Sequence, residues 1–76
     1  MNRVWIHQEK RRYYRAHLQA DLFGAWTLTR CWGSLDSQHG QVRTELVDSQ
    51  FKGREIVAGI NKRRSGHGYR LAHAAG

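Results

Sequence analysis

At 76 residues the chain supports one hydrophobic core and excludes a second, since independent domains run to about 100–150 residues. Its 13 Lys and Arg against 6 Asp and Glu give a net charge of +7, which suits a polyanion: nucleic acid first, an acidic protein or membrane next, with solubility alone as the simplest reading. An 11% aromatic content excludes a disordered basic tail, and one cysteine, Cys31, excludes an internal disulfide.

Residues 1–10 carry isolated apolar positions at Val4, Trp5 and Ile6, which predicts an N-terminal arm or a short edge strand. From Arg11 to Ala20 the pattern alternates: Tyr14, Ala16, Leu18 and Ala20 share one parity, and Tyr13, Arg15, His17 and Gln19 share the other. That is a half-buried strand. Asp21-Leu22-Phe23-Gly24 is a turn, with Gly24 free to take positive φ and Asp21 placed to accept from nearby amides. A second strand runs from about Ala25 to Gly33, with Trp26, Leu28, Arg30 and Trp32 on one side and Thr27, Thr29 and Cys31 on the other. The polar stretch Ser34 to His39 is a loop, followed by a third strand from Gln41 to Val47.

Asp48 or Ser49 is placed to cap a helix over about residues 50–64, whose Gly53, Ile56, Val57 and Ile60 form a narrow apolar stripe. Gly53 and Gly59 each cost about 1 kcal/mol relative to alanine, so the helix depends on docking to the sheet. Lys62, Arg63 and Arg64 suit the negative end of its dipole, and Gly66 is placed to terminate it. A short last strand over 68–72 would return Tyr69 and Leu71 to the core, leaving residues 73–76 frayed. The order predicts an α+β domain over 11–72: a small antiparallel β-sheet of about four strands with one α-helix packed across one face.

Few residues carry chemistry. Trp32, at a strand end beside Gly33, can stack on a sugar or base, or pack in the core alongside Trp26. Arg30 shares its strand face and cannot sit in an apolar core unpaired, so it reaches a phosphate or pairs with Asp36 or Glu45. Two basic clusters, Lys10-Arg11-Arg12 with Arg15 and Lys62-Arg63-Arg64 with Arg70, are candidates for tracking phosphates. Five histidines and Cys31 lack the spacing of a metal site, with only His67 and His73 grouped. Arg64-Ser65-Gly66-His67-Gly68 follows a helix instead of opening one, so it is no phosphate loop. Ser34, Asp36 and His39 have triad residue types on a loop without rigid support. No enzyme activity and no cofactor are therefore expected. With no run of 18 apolar residues and no hydrophobic leader, a cytoplasmic protein without a membrane partner is expected.

Taken together, Tyr13-Tyr14, Asp21-Leu22-Phe23-Gly24 with Trp26, Arg30-Cys31-Trp32-Gly33, Gly40-Gln41 and the basic helix end leading to Gly68-Tyr69 resemble the WGR domain. That module occurs in poly(ADP-ribose) polymerases and in small bacterial proteins, and the likeness is greater to the stand-alone bacterial type. Ser34 stands where the Trp-Gly-Arg motif has its arginine, which in the polymerases is tied to contacts between domains. The resemblance implies a nucleic-acid-binding role with Trp32 against a backbone or terminal base, and DNA favoured over RNA. The second reading is a protein-interaction module that pairs with another copy or a partner protein through an open sheet edge.

Overall fold

The computed structural model describes all residues, 1–76. In chain order they form β1 (Asn2–His7), β2 (Arg12–Ala20), β3 (Trp26–Ser34), β4 (Gly40–Val47), α1 (Gln50–Gly66) and β5 (Arg70–Ala75). The strands make one sheet in the order β4-β3-β2-β1-β5, antiparallel throughout, with α1 across one face. The fold is α+β, as the alternating strand patterns and the single helical stripe predict.

Register decides which side chains share a face. The row Trp5, Tyr14, Trp32, Gln41 runs across four strands, and the next row is Arg3, Ala16, Arg30, Arg43. Both rows lie on the helix side, because their strand neighbours Leu18 and Leu28 pack with Val57 and Ile60 of α1. The buried core is Trp5, Ala16, Leu18, Leu28, Val57 and Ile60. Trp5 is wholly buried, and its indole N–H donates to Asn61 Oδ1 at 2.8 Å, which satisfies the one polar atom the ring carries. At the closest helix–sheet approach stands Gly53, where a Cβ would come within 2.8 Å of Leu18 Cδ2.

The local signals hold. Asp21 Oδ1 accepts from the amides of Phe23 and Ala25 at 2.8 and 2.9 Å, and Gly24 takes φ +83°. Ser49 caps α1 by accepting from the Lys52 amide at 3.0 Å.

Three expectations are corrected. The first ten residues are neither an arm nor an edge: β1 lies between β2 and β5, with Trp5 paired to Tyr14 on one side and Leu71 on the other. Trp5 lies on the helix side and Val4 and Ile6 on the open face, so the run is apolar on both faces and loses the alternation that would have marked a strand. The C-terminus is not frayed, since His73, Ala74 and Ala75 pair with Val4, Arg3 and Asn2, so β5 runs to Ala75; it is β1 that raises the strand number to five. The helix also continues through Gly66, and Gly68 (φ +88°), not Gly66, takes the left-handed turn against His7. Leu71 stays exposed on β5, whereas Tyr69 packs at the border of the core.

Candidate functional site

Helix α1 covers only part of its sheet face. Beyond Ile60, its last buried residue, the helix end carries Arg64 over the rings of Tyr14 and Tyr69, 4.9 and 5.3 Å from their centroids. Past that end the sheet face is open and forms a cleft of about 530 Å³. Its walls are Lys10, Arg12, Arg30, Arg43 and Arg64 with Tyr13, Tyr14, Trp32 and Tyr69, and His7 and His67 at one end. No Asp or Glu lines it.

The aromatic floor is set by pairing. Tyr14 and Trp32 are Cα partners on β2 and β3, and their rings stack 13° from parallel with centroids 5.9 Å apart. Trp5 meets the Tyr14 ring edge-on, and Tyr69 meets His7 the same way. His7 is in turn oriented by the Lys10 amide, which donates to its Nδ1 at 3.1 Å.

Arg30 stands one row in from Trp32, and its Nη2 donates to Glu45 Oε1 at 2.6 Å. Burial disfavours its charge, but Glu45 and the neighbouring Tyr14 prevail and hold its pKa above the ordinary value. Its Nε is buried with no acceptor. A buried donor without a partner is costly, so this position is held by its surroundings.

The structure gathers some of the expected site residues and disperses others. Trp32, Arg30, Arg12 and Arg64 line the cleft; Gly33 borders an adjoining hollow shared with Arg12, Trp32 and Gly40. Trp32 is half-buried, not an uncovered indole, because Tyr14 takes one side of it. Arg11 is held in an exposed ion pair with Asp36 at 3.0 Å, outside the cleft. Arg15 and Arg70 belong to the opposite sheet face by register, and Lys62 and Arg63 are exposed on the helix end outside the cleft. Arg43, Tyr14, Tyr69, His7 and His67 are cleft residues that sequence reasoning did not select. Tyr14 carried a usable signal, since its parity matched the apolar face; Arg43 carried none until register placed it opposite Arg30.

The Trp32-Gly33-Ser34 triplet ends β3 at the mouth of this cleft, and the WGR domain profile matches residues 1–75. The chain belongs to the WGR domain family. No curated protein and no solved structure matches it. WGR domains are associated with nucleic-acid binding in general, and the cationic, carboxylate-free cleft suits that chemistry. In this WGR domain Ser34, at the place of the motif arginine, accepts through Oγ from the Asp36 amide at 3.1 Å. Its cross-strand partner is Arg12, so the neighbouring strand supplies a cation there. No helix is long and apolar enough to cross a membrane.

Proposed function

We propose that this WGR domain is a non-catalytic DNA-binding module whose cleft takes a backbone segment or a strand end against Trp32. One observation carries the reading: a stacked Tyr14–Trp32 pair is walled by Arg12, Arg30, Arg43 and Arg64 with no carboxylate facing it. Guanidinium groups match phosphate oxygens bidentately, and an aromatic ring offers its face to a sugar or base of any sequence. Such contacts position a ligand without reading its sequence. A cleft of about 530 Å³ has room for a nucleotide or two. The lining groups supply charge and ring faces, which is what binding requires; the preference for DNA over RNA rests on the likeness to the polymerase modules.

Fluorescence anisotropy with blunt, nicked and single-stranded ligands at two salt concentrations tests this. Neutralising about four phosphates gives a slope of log K against log salt near −3.6 on duplex. Trp32→Ala should weaken binding while the protein stays folded; equal affinity in parent and folded variant refutes the site. A stable dimer by light scattering with no DNA binding selects pairing through the free edges of β4 or β5 instead.

A further inference from the structure

The sheet face away from α1 is uncovered and, where it is charged, cationic. By register it carries apolar Val4 and Ile6 from β1 and Val42 and Leu46 from β4, and around them Tyr13, Arg15 and His17 from β2, Cys31 from β3, and Arg70 and His73 from β5. None of the strands places an Asp or Glu there. A face that only had to be solvated would carry both signs interspersed.

This face is continuous with the cleft. A hollow of about 550 Å³ crosses it beside Arg15 and Cys31, and Tyr13 lines both that hollow and the cleft. A smaller depression bridges them around the end of the β3–β4 hairpin, sharing Arg12 and Trp32 with the cleft and Gly40 with the open face. Tyr13 has a built seat at this corner. Its ring lies against two paired glycines: a Cβ at Gly33 would come 3.3 Å from Tyr13 Cε1, and one at Gly40 would come 2.6 Å from its hydroxyl. With no side chains beneath it, the half-exposed ring lies close to the backbone where a base can stack.

We infer that the open sheet face is a second segment of the binding site, which takes a single-stranded extension leaving the cleft, rounding the β3–β4 end and crossing Tyr13 and Arg15 towards Arg70. The inference rests on the cleft reading above. The single-stranded form follows from stiffness. The path turns around a body 17 Å across its shortest axis, whereas duplex DNA stays straight over about 150 base pairs. A single strand bends freely, and cations with aromatic platforms are the usual means of holding one.

Cys31, the chain's one thiol, lies in the open-face hollow and serves as a reporter. The experiment compares a blunt duplex with the same duplex bearing an oligo-dT tail of about eight nucleotides on either strand. The readouts are anisotropy and the rate of Cys31 alkylation by iodoacetamide. The tail should raise affinity about tenfold, equivalent to one stacked base, and slow alkylation several-fold, while the blunt duplex leaves the rate unchanged. Arg15→Gln should lower the salt slope for the tailed ligand by about 0.7 and leave blunt-duplex binding as it was. Tyr13→Leu should remove most of the gain from the tail, and the Arg15 variant keeps the test decisive if Tyr13→Leu fails to fold. Equal affinities and an unchanged thiol rate with both ligands overturn the second segment and leave the cleft standing. Absence of salt-sensitive binding to either ligand overturns both.

Discussion

The rings of Tyr14 and Trp32 lie 5.9 Å apart and 13° from parallel, because the two residues face each other across β2 and β3. Trp32 is therefore held in place before any ligand arrives, which lowers the ordering cost of using its free side. Trp32→Ala should reduce DNA affinity by about 10- to 100-fold, as the loss of one stacked base predicts. Folding also loses about 1 kcal/mol for the ring pair, beyond the burial of the half-buried indole itself. Anisotropy and thermal melting separate the two effects, and Trp32→Phe should restore most of the binding.

Glu45 holds Arg30, the guanidinium that the proposed reading assigns to phosphate. The two side chains are 21% and 32% exposed, so their 2.6 Å contact is only partly screened. Glu45→Gln keeps an acceptor but removes the charge, and should cost about 1 kcal/mol of stability. DNA affinity should rise, since Arg30 then meets phosphate without a competing carboxylate. Unchanged affinity would show that Arg30 does not reach the backbone.

Two glycines of one helix respond in opposite ways to alanine. At Gly59 a Cβ meets nothing within 4 Å, so Gly59→Ala should stabilise by about 0.5–1 kcal/mol through helix propensity alone. At Gly53 the Cβ meets Leu18 at 2.8 Å, and overpacking of about 1–3 kcal/mol outweighs the same gain. Urea unfolding of the two variants reads the difference directly.

Asp36 accepts from Arg11, and that hydrogen bond holds its carboxyl below the ordinary value of 3.8. A depressed folded-state value means that the contribution is present above 3.8 and is lost as pH falls through the lower folded value. The small stability difference between the parent and Asp36→Asn should therefore be present above pH 3.8 and shrink as the pH is taken below it, measured by urea midpoints. Both groups lie open to solvent, so the difference is small. Arg11→Gln should change DNA affinity less than Arg12→Gln does, since Arg11 lies outside the cleft and is already paired.

Much of this domain is legible in consecutive residues. Alternation marks β2, β3 and β4, the Asp21 and Gly24 chemistry marks the first hairpin, and the Gly53, Val57, Ile60 stripe marks the buried side of α1. Parity within one strand even places Arg30 beside Trp32 and sends Arg15 to the other face. Tertiary structure alone decides that β1 is interior and that the chain stays paired through Ala75, because both follow from a strand pairing that joins the two ends of the chain. It alone brings Arg43 beside Arg30 and selects Arg64 from three consecutive basic residues. Periodicity is a property of neighbours along the chain and reports which way each side chain points. A cleft assembled from four strands and a helix end depends on register and docking, and those are set by core contacts between residues far apart in sequence.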